Sequence, residues 1–480
     1  MNGAAGAEGQ RLFSYVELEY DAAAAAILLC VCIIPKAEIA PDSALEVDRR
    51  QGFGVPEKSV RPREIFGWAM YDFANSGYTT VVITAVFNAY FVSVVAGNAA
   101  WATFAWTASL AISYAAIIAT APLAGAWADL HAAKKRLLAI TTAGCVLGTA
   151  ALALVGPGEL WLAVILIAVS NFFFGSGENV VAAFLPELAD EEALGKVSGW
   201  GWSLGYLGGL VALGACLAYV TSAQGRGLGA ADYVPATMLI TAALFAAASV
   251  PTFAWLRERA VAQPDATREG ALLAAYARVA HTLRHAAHFR DLRRFLVCIV
   301  FYQAGISTVI ALAAIYAQQV LGFETRDTIL LILVVNLTAA VGAFAFGYVQ
   351  DRLGHVRTLV LTLLGWIAMT LLAYVASSRE AFWLAANLAG VCLGSSQSAG
   401  RALVGYLSPA QRRGEFFGLW GLAVKLSAII GPLTSGAVTW ITSGNHRLAI
   451  LATGGFFVVG LILLAGIDVQ RGREAAREAA

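Results

Sequence analysis

Charge is what this sequence has least of. Only 13% of its 480 residues are Asp, Glu, Lys or Arg, about half the share usual in a soluble domain, and that deficit excludes an ordinary soluble enzyme of this length. Neither sign prevails, with 32 basic residues against 31 acidic ones, so nothing points to nucleic acid or to an acidic partner. Cysteine is sparse. Cys30, Cys32, Cys145, Cys216, Cys298 and Cys392 sit in apolar surroundings without zinc-type spacing, apart from the Cys-Val-Cys of Cys30 to Cys32, and read as buried thiols rather than disulfides or metal ligands. The alternation of apolar and polar residues that marks barrel strands is missing. No hydrolase, kinase or nucleotide-binding motif occurs; the glycines Gly199, Gly201, Gly205, Gly208 and Gly209 follow no strand and suit close helix packing instead. The expectation is a protein that is not an enzyme, without metal or cofactor, and without ATP as its energy source.

What the chain does have is apolar length. Its mean hydropathy is +0.70, and runs of about 20 residues, enough to cross about 30 Å of hydrocarbon, recur from Trp68 to Gly466. Six lie near Trp68 to Ala96, Trp101 to Ala128, Leu137 to Val155, Leu160 to Leu185, Ser198 to Val220 and Val234 to Leu256. Six more lie near Phe295 to Leu321, Thr328 to Tyr348, Thr358 to Ala376, Phe382 to Leu407, Phe416 to Ile441 and Leu448 to Gly466. Continuous apolar runs span as helices. The fold class is therefore an all-α polytopic membrane protein with twelve transmembrane helices in two six-helix repeats. With both termini in the cytoplasm, the outer loops hold only Arg226, Arg326, Arg379 and Arg447 of the 32 basic residues, and the positive-inside rule favours this orientation.

The division that follows is an N-terminal extension (1–66), a first bundle (67–256), a basic linker (257–294), a second bundle (295–467) and a cytoplasmic tail (468–480). In the extension, Ala22 to Pro35 is too short to span and is preceded by Glu17, Glu19 and Asp21, unlike a signal peptide. An interfacial or poorly ordered segment is the first reading, an extra span the second, and an unused upstream start a third. In the linker, His281, His285 and His288 share a helical face, yet Arg278, Arg284, Arg290, Arg293 and Arg294 surround them. That pattern favours a basic amphipathic helix on an anionic lipid surface over a metal site.

The two bundles repeat. Gly125-Ala-Trp-Ala-Asp129, followed by Lys134, Lys135 and Arg136, matches Gly347-Tyr-Val-Gln-Asp351, followed by Arg352, Gly354 and Arg357. In each, a glycine permits close helix approach and an aspartate can accept bonds from a neighbouring helix N-terminus and from arginine, as a conformational latch would. Gly175-Ser-Gly-Glu178 lies 219 residues before Gly394-Ser-Ser-Gln397, and Gly199 lies 219 before Gly418. Two parallel repeats are the mark of a transporter that rocks around a central site. The aspartate loops resemble the signature loop of the major facilitator superfamily. The first copy departs from it at Leu130 and Ala132, so its latch is expected to be the weaker.

A narrower resemblance rests on Gly67-Trp-Ala-Met-Tyr-Asp72-Phe-Ala-Asn75-Ser-Gly-Tyr78, on Phe184-Leu-Pro-Glu-Leu188, on Gly199-Trp-Gly-Trp-Ser-Leu-Gly205-Tyr-Leu-Gly-Gly209, on Gly394-Ser-Ser-Gln397 with Arg401, and on Lys425 with Gly431-Pro432. Together these resemble the superfamily branch of autophagy-related vacuolar amino-acid effluxers and their bacterial relatives. The resemblance covers about Arg63 to Ile467 and implies efflux of neutral amino acids.

A charge near the bilayer centre costs about 2.5 to 3.5 kcal/mol even on a lenient scale, so each one needs a reason. Glu178, Lys425, Arg401 and Asp72 lie roughly 12, 13, 9 and 6 Å deep by helical rise, all able to face one cytoplasmic vestibule. Arg401 and Lys425 suit an anionic substrate group, or else structural pairs with Glu178 or Asp72. Glu178 suits proton coupling, or else permanent pairing with Lys425 or satisfaction by Asn179 or Ser176. Asp72 suits coupling or capping of the first helix. Asn75, Asn88, Asn171, Gln303, Asn336 and Gln397 can orient a ligand or bond adjacent helices. The candidate substrate contacts are Arg401, Lys425, Gln397, Asn75 and Gln303; the candidate coupling residues are Glu178 and Asp72; the candidate latch is Gly125, Asp129, Gly347, Asp351 and Arg352.

The resulting expectation is a gradient-driven transporter of a small zwitterionic or anionic metabolite, its partners being that substrate, membrane lipid and possible protons, in a bacterial plasma membrane. An exporter of hydrophobic compounds and a transport-dead sensor or scaffold are the competing readings. Oligomeric state is not written in these residues.

Overall fold

Two apolar bundles need only helices to satisfy their backbones in lipid, and helices are what the chain forms. The computed structural model describes residues 60–260 and 289–478, apart from 98, 100, 324 and 444. The extension ahead of residue 60 and the linker histidines lie outside the described residues, as do Cys30 and Cys32. Among the described residues there is no strand. The first half comprises α1 (Pro62–Tyr78), α2 (Ala102–His131), α3 (Lys134–Ala151), α4 (Leu160–Ala182), α5 (Leu194–Gly225) and α6 (Ala230–Trp255). The second comprises α7 (Arg290–Leu321), α8 (Thr325–Leu353), α9 (His355–Val375), α10 (Arg379–Leu407), α11 (Arg413–Ile441) and α12 (His446–Ala465), and a short α13 (Val469–Glu478) follows.

Eleven of the described helices are long and apolar enough to cross a membrane. The exception among the twelve long ones is α10, which at 29 residues has the length but carries Arg401, Gln397 and four serines or asparagines in its interior. These polar side chains are bonded inside the protein, Arg401 to Asp72 of the first half and Gln397 to Gln303 of the second. On the lipid side the reverse holds, with Trp161 77% and Leu154 72% exposed; such apolar surface is tolerable only in a bilayer.

Local chemistry shapes the ends. Pro62 starts α1 where its missing N–H costs nothing. Beyond Tyr78 the same helix widens into π-helical turns over Thr79–Ala85 and Phe91–Val95, a local loosening often found at functional positions. Tyr71, Tyr78 and Trp68 anchor α1 sideways, through bonds of 2.9 Å to Thr142, 2.8 Å to Ser170 and 2.8 Å to the Val181 carbonyl. The corners after α2 and α8 both turn through left-handed backbone, at Ala132 (φ 46°) and Gly354 (φ 88°). Only the second corner has the residue that adopts this conformation without strain.

The halves meet along two crossings, α2 on α11 and α5 on α8, and glycine makes both possible. A Cβ on Gly418 would lie 2.5 Å from the Ala121 carbonyl oxygen, and one on Gly199 would lie 2.5 Å from that of Ala343. Small residues at such crossings let backbones touch where no hydrophobic effect drives them together.

Candidate functional site

Three layers of polar contact join the halves, beginning at the end of the molecule that carries the α2–α3, α4–α5, α8–α9 and α10–α11 corners. At the rim, each latch aspartate caps a helix of the opposite half. Asp351 Oδ1 and Oδ2 accept from the Gly195 and Lys196 amides at 2.9 and 3.1 Å, at the start of α5. Asp129 does the same for the Gly414 and Glu415 amides of α11, both at 3.0 Å. The orphan N–H groups and positive dipole of a helix start suit a carboxylate. Gly125 and Gly347 make room, since a side chain at either would run into the backbone of α11 or the start of α5.

The expected order of latch strength does not survive this geometry. Asp129 is only 4% exposed and has Lys134 Nζ at 3.8 Å; Lys134 in turn donates to Glu187, while Glu258 accepts from the Lys134 and Lys135 amides at 2.7 and 3.0 Å. Asp351 is less buried, and Arg352 points to solvent and takes no part in the latch. The basic partner that the first loop lacks beside Asp129 is supplied from five residues further along.

The middle layer centres on Arg401, 2% exposed. Its Nη1 donates to Asp72 Oδ2 at 2.7 Å, Nε to Ser198 Oγ at 3.1 Å and Nη2 to the Ser198 carbonyl at 2.9 Å. Its guanidinium lies 4.6 Å from the Trp68 ring centre and 5.3 Å from that of Trp202. Arg401 belongs to the second half and all these partners to the first. A planar fork between two rings is a geometry lysine cannot copy. In this state Arg401 is committed to the other half, and Asp72 is its counterion rather than a helix cap. Ser198 Oγ also donates to the Ser398 carbonyl at 2.9 Å, and Trp200 Nε1 to Tyr348 Oη at 3.2 Å.

Deeper still, Lys425 Nζ donates to Glu178 Oε2 at 3.0 Å, again across the halves. Their side chains are 10% and 24% exposed, so Glu178 is the more open member of the pair. The ammonium lies 5.6 Å from the Tyr114 ring centre and 5.8 Å from that of Phe174, with Phe174 stacked on Tyr78 at 4.7 Å. Nearby Asn171 donates to Ser113 Oγ at 2.5 Å. The remaining candidates separate: Gln303 Nε2 donates to Gln397 Oε1 at 2.5 Å within the second half, Asn336 bonds its own helix, and Asn75, 7% exposed, has no partner for its Oδ1. Nothing in the sequence singled out Ser198, Trp202, Tyr114 or Phe174. Trp202 stands inside the quoted glycine-tryptophan motif, the one local signal among them.

Six helices and six, crossing in these pairs with charged pairs between the halves, define a secondary transporter of the major facilitator class. Solved structures agree on the fold: the human organic anion transporter MFSD10 superposes with TM-score 0.66 at 14% identity, covering 85% of this chain and all of that one. The major facilitator proton:xylose symporter XylE superposes with TM-score 0.64 at 15% identity, over 83% and 94%. More narrowly, the chain belongs to the family described as vacuole effluxer Atg22 like, whose model matches residues 88–477. It is similar to the uncharacterized MFS-type transporter YxiO of Bacillus subtilis, 27% identical over 86% of this chain and 96% of that protein. It is also similar to autophagy-related protein 22 of Candida glabrata, 27% identical over 41% of this chain and 38% of that protein.

Proposed function

We propose that the protein exports a small zwitterionic or anionic metabolite, an amino acid by preference, by alternating access, with both termini and the latched rim on the cytoplasmic side of a bacterial plasma membrane. The observation that carries the reading is the Lys425–Glu178 pair: two opposite charges, one from each half, partly accessible and flanked by aromatic rings. A zwitterion can divide this pair, its carboxylate taking Lys425 and its ammonium taking Glu178 and the neighbouring rings. Because the pair joins the halves, dividing it loosens one layer of closure, which is how a ligand biases a rocking equilibrium. The family description supports efflux. Arg401 acts in this scheme as a lock in the closed state, free to meet substrate only after Asp72 releases it.

Proton coupling is assigned to Glu178, whose repeat counterpart is the neutral Gln397. Protonation removes its attraction for Lys425 and so changes the favoured state. The test is uptake into proteoliposomes with and without an imposed pH gradient. Glu178→Gln should still exchange substrate but lose gradient-driven accumulation, and accumulation that survives in this variant would remove Glu178 from the coupling role. Lys425→Ala should abolish exchange as well.

A further inference from the structure

The tail beyond α12 forms an ordered contact between the halves. Asp468 caps α13, accepting from the Gln470 and Arg471 amides at 3.1 Å each. One side of the helix is fixed to the second half. The Asp468 amide donates to Asp291 Oδ1 at 2.9 Å, and Arg471 grips the same carboxylate with two bonds, Nε to Oδ2 at 2.7 Å and Nη2 to Oδ1 at 2.6 Å. Gly472 lets the helix lie flat, since a Cβ there would be 2.8 Å from Leu407 Cδ2 and 3.1 Å from Asp291 Cβ. Arg473 donates to the Tyr406 carbonyl at 2.9 Å and stacks 5.1 Å from the centre of its ring.

The other side reaches the first half. Arg473 Nε donates to Glu191 Oε1 at 2.9 Å, its Nη2 donates to the same oxygen, and Arg477 Nη2 joins them at 2.7 Å. Positions 473 and 477 share a helical face, so one carboxylate of the α4–α5 corner is held by two guanidinium groups of the opposite half. That corner is the one whose next residues, Gly195 and Lys196, are capped by Asp351.

We propose that α13 is a strap across the rim: anchored on Asp291 and Tyr406, it holds Glu191 of the first half and must release it each time this end of the transporter opens. The strap sets how often the rim opens, independently of what is carried, so its test needs no substrate. Arg473 serves both sides, through Tyr406 and Glu191, which makes it the hinge of the arrangement. Its charge-assisted bonds are the strong kind, and partial burial shields them from full screening.

Hydrogen exchange followed by mass spectrometry on the full chain reads the rim directly, because the Gly195, Lys196, Gly414 and Glu415 amides exchange only when the latches part. Glu191→Arg should speed exchange at all four by about tenfold, as should Arg473→Glu combined with Arg477→Glu. Arg477→Gln should add little to the exchange rate once Glu191→Gln has been made, since both changes break the same contact, with α1 amides unchanged throughout as the control for folding. If Glu191→Arg fails to insert, Glu191→Gln carries the same expectation at smaller amplitude. Unchanged rim exchange in the single-side variants, or fully additive effects of Glu191→Gln and Arg477→Gln, would overturn the strap.

Discussion

Arg401→Ala isolates the middle layer. The substitution removes the 2.7 Å bond to Asp72, the two bonds to Ser198 and the stacking between Trp68 and Trp202. Removing one partner of a buried pair costs about 3 to 5 kcal/mol, because the other charge stays behind, and each stacked ring adds roughly 0.5 to 1 kcal/mol. Asp72 remains 9% exposed only while the halves are shut. Opening hydrates it, so most of the loss falls on the closed state and not on folding within either half. At 1.4 kcal/mol per tenfold, even 3 kcal/mol moves the closed-to-open ratio by on the order of a hundredfold. Spin labels replacing Arg136 and Arg357, both exposed near the rim and one in each half, report the separation by electron–electron distance measurement. The variant should show a long-distance population where the parent shows a short one, and transport should fall. A cycle with Asp72→Asn should then be non-additive, the second change adding little once the first is made. An unchanged distance distribution in a folded, inserted Arg401→Ala protein would refute the lock.

Three further outcomes follow from the rim. Asp129→Asn should weaken closure more than Asp351→Asn, by about 1 to 3 kcal/mol against less, since its carboxylate is the more buried and has Lys134 beside it; the same label distances rank the two, and the opposite order would contradict the geometry. Ala132→Gly should raise the melting midpoint, relieving a left-handed alanine at a gain of about 0.5 to 1 kcal/mol, as scanning calorimetry or tryptophan fluorescence can follow. Burial pushes the Glu191 carboxyl upward, but hydrogen bonds from Arg473 and Arg477 and their charge outweigh it and hold the group below its ordinary value; Tyr406 and His355 are the other groups near it. A depressed carboxyl gives its stabilisation in full above the ordinary carboxylate pKa and loses it only as pH falls through the lowered value. The slowing of rim exchange that Glu191 provides, read as the difference between the parent and Glu191→Gln, should therefore be level from neutral pH down to about 4 and fall away only below that.

Fold class was legible because hydrophobic length and repeated loops are local properties of the chain. The two aspartates were legible as acceptors for a neighbouring helix start for the same reason, each standing at a fixed distance from its glycine. Their relative strength was not, because Lys134 folds back onto Asp129 through a corner that the residue pattern does not describe, and because Arg352, adjacent in sequence, turns away. Pairing of the intramembrane charges could be narrowed to a few choices but not decided: Asp72 and Arg401 are 329 residues apart, Glu178 and Lys425 247, and only the crossing of α2 on α11 and α5 on α8 selects the partners. The strap was invisible for a further reason. Arg473 and Glu191 lie in segments that read as solvated corners, and a salt bridge between two such segments leaves no periodicity behind.

The cross-capping of α5 and α11 has a consequence for solvent. When the rim parts, four backbone amides and two carboxylates lose one another at once, and even with Lys134 still beside Asp129 the four amides need another acceptor to take over. Water has to. Each opening therefore takes up a definite set of ordered water molecules, which makes water activity a ligand of the open state in the thermodynamic sense. Osmotic stress from solutes too large to enter the rim should then favour closure in proportion to the number of waters admitted, and the slope of that dependence would count them.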